Sequence, residues 1–432
     1  MSEQDRGVDP AGEGTAPPHG EPGGYAPSVA ERFANYQRVG GIVTPLVTTL
    51  LAFFVGGLVV LVTTGKNPLS TYKAIFDGTG LNWFVQVGSH DVGLPFTDDR
   101  VWFPWNTNSI QSVAAFNLQQ TLVLTTTLTL TGLAVAFAFR CGLFNIGGQG
   151  QYIAGSLASV WVGSSLVGMN RFPHVLLSIG AAMLAGALLA GVAGLLKATV
   201  GAHEVVVTIM LNWIMFWTGA WLLGVGGPLN ADPAQQSSAY VAESAKLHVF
   251  WGLPNLQGVH IGLFFAIAAL VVYSLVLNRT TLGYEVRAVG YNPDAARYGG
   301  ISVARNYFLA MAIAGLFAGL AGAMDILGWQ YRITASDVQG STIAFLGIAV
   351  ALLGRNTAIG VGLSALLFAA LLTGTSQRNL NPDVFQPELA TNLTLLIQGL
   401  VVLFVGADLL VISIWRARRR LVPGRLKAKP TR

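Results

Sequence analysis

Hydrophobic residues along this chain gather in long runs separated by short polar stretches, each run about as long as a helix needs to cross a hydrocarbon layer of roughly 30 Å. The runs fall at about 41–62, 118–139, 143–166, 174–196, 205–226, 259–278, 306–328, 340–354, 356–375 and 392–413. The pattern therefore predicts about 10 transmembrane helices. The eighth and ninth are short for a span, and reading them as one re-entrant hairpin would leave 8.

One polar stretch carries helix punctuation of its own. Asn292 suits an N-cap, Pro293 the first helical position and Asp294 the positive end, while Gly299 and Gly300 can close the segment. The spacing predicts about two turns of helix inside a loop covering 279–305. It reads either as an ordinary surface turn or as a docking element for something on that side of the membrane.

Composition decides which solvent the runs face. Hydrophobic residues make up 53% of the chain and charged residues only 10%, against about 25% charged in soluble domains. The fold class expected is all-α, a polytopic integral membrane protein. The 52 glycines fit it, because helix contacts in lipid rely on small residues. Gly315 and Gly319 make one small-residue ridge, and Gly186, Ala190 and Gly194 make another.

Residues 1–38 are rich in Gly, Pro and acidic groups and lack an apolar signal-peptide core, so they read as a disordered tail. Residues 39–414 form the expected transmembrane domain and 415–432 a basic tail. That tail carries the net charge of +5, which beside a membrane span is a topology signal and no argument for nucleic acid. With the N-terminus inside, 18 basic residues fall on the cytoplasmic side and seven outside. Both termini and the 279–305 loop are then cytoplasmic, in a multi-pass protein of the cell membrane in contact with its lipids. The hairpin alternative changes the ratio only to 17 against eight.

Candidate chemistry is sparse. Cys141 has no partner for a disulfide, and no two of the six histidines stand at i, i+4, so no metal site is expected. GxxxxGK[ST] is absent, and its nearest fragment, Gly65-Lys66, is followed by Asn67. The chain is expected to be neither an enzyme nor an ATP binder and to carry no cofactor. Almost no ionisable side chains lie inside the spans, the carboxylates being Asp325 and Asp408, which disfavours an ion-coupled carrier. Neutral polar residues do cluster: Asn117, Gln119, Gln120, Asn145, Gln149, Gln151 and Asn212, with Trp213 beside the last. Amides and indoles could line a path for an uncharged hydrogen-bonding solute such as a nucleoside or small sugar. They could equally bridge helices. Asp325 reads as a snorkelling carboxylate or as a substrate ligand. Trp83, Trp102, Trp105 and Trp251 lie in the long outer segments, where an interfacial belt is expected.

With these residues in view, the loop pattern Gly283, Arg287-Ala288-Val289-Gly290, Asn292, Ala295-Ala296 and Gly300-Ile301, followed by AGLFAGLAGA at 314–323, resembles permeases of the ABC importer group that includes ribose and branched-chain amino acid systems. GLFNIGGQGQ at 142–151, EVVVTIMLNW at 204–213 and GPLNADPAQQS at 227–237 resemble its nucleoside and simple-sugar branch, which works with a basic-membrane-protein-type lipoprotein. The likeness covers about 40–413. It implies a type II importer permease fold and a loop that docks on a separate ATPase subunit through Arg287, Gly290, Asn292, Ala295, Ala296 and Gly300. It also implies a second permease, identical or different, and an extracytoplasmic substrate-binding lipoprotein, with ATP held by the partner. The third-span motif departs from the family, where NIG is followed by Glu-Gly; here Gly148-Gln149-Gly150 puts an amide in place of the acid, and the acid's role does not carry over.

Overall fold

Each apolar run within the described residues becomes helix, but the boundaries move wherever polar chemistry intervenes. The computed structural model describes residues 46–83 with short interruptions, 113–376 apart from 254–256, and a few positions from 392 to 403. First come α1 (Thr49–Val62), α2 (Pro68–Thr79) and a 3-10 turn at Leu81–Trp83. Then follow α3 (Val113–Arg140), α4 (Gly148–Ser165), α5 (Arg171–Val200) and α6 (Glu204–Leu223). An antiparallel hairpin of β1 (Val249–Trp251) and β2 (Val259–His260) leads into α7 (Gly262–Arg279). The predicted loop holds α8 (Thr281–Tyr291) and α9 (Pro293–Tyr298). Beyond it, α10 (Val303–Asp325) runs into a π-helical turn at Ile326–Gln330, followed by α11 (Ala335–Gly340), α12 (Ile343–Leu353) and α13 (Ala358–Gly374).

Among the described residues, six helical segments are long and apolar enough to cross a membrane: α3, α5, α6, α7, α10 with its π turn, and α11 with α12. α1 and α13 are apolar but shorter. The run at 143–166 starts its helix only at Gly148, and Gln149, Gln151 and the serines of α4 keep it out of that set. α4 tolerates them because α5, α6 and α10 cover it along most of its length, leaving little of it to face lipid. The chain is thus mostly helical, and ten spans are not reached among the described residues. The expected span at 392–413 lies mostly, and the tails at 1–38 and 415–432 wholly, outside them.

Packing centres on the crossing of α5 with α10, where the two small-residue ridges meet each other. A Cβ built on Gly315 would stand 2.2 Å from the Gly186 carbonyl oxygen, and one on Gly319 would stand 2.2 Å from that of Ala182. On the other side of α10, a Cβ on Gly322 would lie 2.5 Å from the Tyr152 carbonyl oxygen of α4. Backbone touches backbone along both seams, so dispersion contacts replace the hydrophobic drive that lipid does not supply.

The 227–248 segment is tied to the end of α10. Ser238 N–H donates to Ile333 O (2.9 Å), Val241 N–H to Tyr331 O (2.8 Å) and Leu247 N–H to Leu327 O (2.8 Å). Tyr331, at φ +57°, turns the chain out of the π segment. Burial, with Glu243 adding to it, pushes its phenol above the ordinary range, so it remains a neutral donor to Gly328 O at 3.0 Å. Trp251 does not join an interfacial belt: it is buried against Trp83, with ring centroids 5.1 Å apart, among Ala115, Leu118 and Val259. An indole enclosed by the hairpin and α3 has no membrane surface to reach. Trp102 and Trp105 lie outside the described residues.

Candidate functional site

The 279–305 loop is built as its punctuation predicts. Thr280 Oγ1 accepts from Gly283 N–H (3.1 Å) to cap α8, and Asn292 Oδ1 accepts from the N–H groups of Asp294 and Ala295 (3.0 Å each) to cap α9. Gly300 takes φ +81° just past the end. Tyr291 and Tyr298 project with 88% and 94% of their surface exposed, and Asp294 and Ala295 are exposed beside them.

Two residues expected at an outward contact face the other way. Ala296 is 5% exposed and packs into the core, because a helix this short has one outward face and position 296 falls opposite it. Gly290 abuts the end of α3, where a Cβ would stand 2.3 Å from Arg140 O. Arg287 is half-buried, its Nε donating to Gly283 O (3.2 Å). Asn292, Ala295 and Gly300 remain on the outer surface. Arg140 in turn donates through Nε and Nη2 to Asn356 O (3.0 and 2.7 Å), which also accepts from Tyr273 Oη (2.8 Å). Thus α3, α7, α8 and the α12–α13 turn are pinned together at this end.

The amides singled out in sequence divide. Asn145 and Gln151 bond each other reciprocally (3.0 and 2.9 Å), and Asn145 Oδ1 also accepts from Gly147 N–H. Asn212 of α6 accepts from Gly150 N–H (2.7 Å) and donates to Ile146 O (3.0 Å). Gln149 Oε1 accepts from Ala344 N–H at the head of α12 (3.0 Å), leaving its Nε2 buried without a hydrogen bond. These four hold the 142–150 turn, α4, α6 and α12 together. Trp213 is not drawn into them: it is 55% exposed, on the outer side of α6 with Trp217 and Trp221. Asn117 and Gln120 are buried in the first turns of α3, away from that network.

Asp325 is 2% exposed, which excludes snorkelling. Its Oδ1 accepts from Thr127 Oγ1 of α3 (2.5 Å) and Trp329 Nε1 (3.1 Å), and its Oδ2 from Tyr152 Oη of α4 (2.7 Å). Three donors on one carboxyl tie α3, α4 and the π turn into a node. Two of its donors, Tyr152 and Trp329, each line a cavity. One, of about 360 Å³, is lined by Tyr152, Gln330, Ser336, Asp337 and Ser341 among others. The second, of about 300 Å³, is lined by Gln120, Val123, Gln257, Trp329, Thr373 and Ser376 among others. Gln120 and Asp325 are legible here as polar residues at membrane depth, whereas Trp329 is not, because the π turn that brings it to Asp325 leaves no mark in the hydrophobic periodicity.

Residues 117–406 match the family described as branched-chain amino acid transport system / permease component. The chain belongs to this permease family. The permease is 32% identical over 394 residues to the guanosine ABC transporter permease protein NupP of Bacillus subtilis, covering 91% of this chain and 99% of that one. It is 31% identical to the nucleoside ABC transporter permease protein NupB of Lactococcus lactis, covering 86% and 92%. With the glucose ABC transporter permease protein TsgB13 of Haloferax volcanii it shares 33% identity, covering 84% and 86%. No solved structure matches the permease. These relatives are transport subunits of ABC transporters, and the permease's apolar helices agree with a multi-pass membrane protein.

Proposed function

We propose that this permease forms the translocation path of an ABC importer for nucleosides, driven by a separate ATPase subunit. The observation that carries this reading is the identity to the guanosine permease over nearly that relative's whole length. The capped α9, with its exposed tyrosines, is the surface on which the ATPase docks, and Asn292, Ala295 and Gly300 lie on it. ATP is bound by that partner, and the permease holds no cofactor of its own. A second permease, a further copy or a sister chain, completes the path, and an extracytoplasmic lipoprotein delivers the cargo. Both termini and the α8–α9 loop face the cytoplasm, as the basic-residue asymmetry supports. Nucleotide-driven closure of the ATPases then moves α8 and α9 and rocks the helices about their small-residue seams.

A sugar is the second reading for the cargo, favoured by the likeness to the glucose permease. The test is purification of the tagged permease with its native partners, reconstitution into vesicles, and uptake of labelled guanosine, ribose and glucose with and without ATP. ATP-dependent guanosine uptake is expected. Uptake driven by an ion gradient without ATP, or a permease that cross-links to no ATPase before extraction, would overturn the reading.

A further inference from the structure

Trp329 stands at a position where geometry leaves its ring one use. Its indole N–H is spent on Asp325 Oδ1 (3.1 Å), yet the residue also lines the 300 Å³ cavity. With that N–H engaged, the part of the indole left to meet a solute is its ring, and the carboxyl that holds it is itself fixed by Thr127 and Tyr152. Around it stand the amides of Gln120 and Gln257 and the hydroxyls of Thr373 and Ser376, with Val123, Leu124 and Leu372 as apolar wall. Among the described residues, no Asp, Glu, Lys or Arg lines this cavity. A neutral, flat heterocycle with hydrogen-bonding edges suits such a lining, since an indole stacks on its face while amides and hydroxyls meet its edge as donor or acceptor. The volume lies at the small end of ligand pockets, about 300–1,000 Å³, which fits a compact solute.

We infer that this cavity is the subsite for the nucleobase of a transported nucleoside, with Trp329 stacking on the base and Asp325 acting as a positioning residue for Trp329. The inference rests on the nucleoside reading above and deepens it, because a sugar alone offers no aromatic face to stack. Gln120 and Gln257 meet the edge of the base, and the ring orientation set by Asp325 determines the plane in which the base lies.

The experiment uses the intact importer with its partners in vesicles, and measures KM and maximal rate for guanosine, ribose and glucose. Stacking on an aromatic side chain is worth roughly 1–3 kcal/mol per base, so Trp329→Leu is expected to raise the guanosine KM about tenfold. Trp329→Phe keeps a stacking face and is expected to return it to within about threefold of wild type. Should Trp329→Leu fail to reach the membrane, Ser376→Trp tests the same space from its rim by filling it, and is expected to abolish guanosine uptake. A wild type that imports guanosine together with a Trp329→Leu or Ser376→Trp variant of unchanged guanosine KM overturns the subsite and leaves the nucleoside reading standing. A wild type that takes up glucose or ribose but no guanosine overturns both.

Discussion

Replacing Gly315 with Ala places one methyl in the tightest seam of the molecule. The new carbon would stand 2.2 Å from Gly186 O and 2.6 Å from Ala190 Cβ, where ordinary contact begins at 3.4 Å. These neighbours include helix backbone on a rigid crossing, so α5 and α10 must part by roughly 1 Å, a gap that already forfeits a quarter to a half of each affected dispersion contact. Overpacking of this kind costs about 1–3 kcal/mol, and we place Gly315→Ala in the upper half of that range because both obstacles lie on the same facing helix. Gly180→Ala on α5 is the matched control: nothing lies within 4 Å of its Cβ position, and the change removes up to about 1 kcal/mol of glycine's helix penalty. Equilibrium unfolding of the two purified variants in mixed micelles, followed by circular dichroism, measures both. Gly315→Ala should lose stability and Gly180→Ala should hold or gain it. Equal transitions for Gly315→Ala and wild type would refute the argument that the small-residue seam sets the packing.

Asp325→Ala strands the donors of Thr127, Tyr152 and Trp329 in the interior. At about 1–3 kcal/mol for each unsatisfied buried group, the variant should melt far below wild type in detergent, with Asp325→Asn intermediate; coincident melting curves would remove the node from the fold. Ala295→Arg and Ala296→Arg should separate by where they point. The exposed Ala295→Arg is expected to leave thermal stability unchanged while abolishing ATP-driven uptake, whereas the 5% exposed Ala296→Arg should lose stability by burying an unpaired charge. Normal uptake by Ala295→Arg would show that α9 does not dock.

Residue punctuation made α9 legible, since Asn292, Pro293 and Gly300 act within a few residues of one another. The same grammar opens and closes α2, where Asn67 caps, Pro68 follows and Gly80 takes φ +77°, yet that helix went unread inside an outer segment assigned only to loop and aromatic belt. The two glycine ridges were visible singly, but their meeting was not, because a sequence states which face is small and never which helix will find it. Asp325 stays between two readings in the sequence for a related reason: position along a helix reports depth in the bilayer, while only tertiary contacts report whether the side chain turns toward lipid or toward Thr127 and Tyr152. Bridging amides such as Asn145 and Gln151 look like path-lining amides until their partners are known, since both roles demand donors and acceptors at membrane depth.

α3 is a strut. Its 28 residues span about 42 Å, with one end wedged against Gly290 and bolted to Asn356 through Arg140, and Gln120 near the other. The axial hydrogen-bond ladder makes it stiff in compression. On the proposed docking of the ATPase at the loop, a push there is carried along this rod toward Gln120, about 30 Å away. One rod thus has the proposed docking loop at one end and a residue of the cavity near the other.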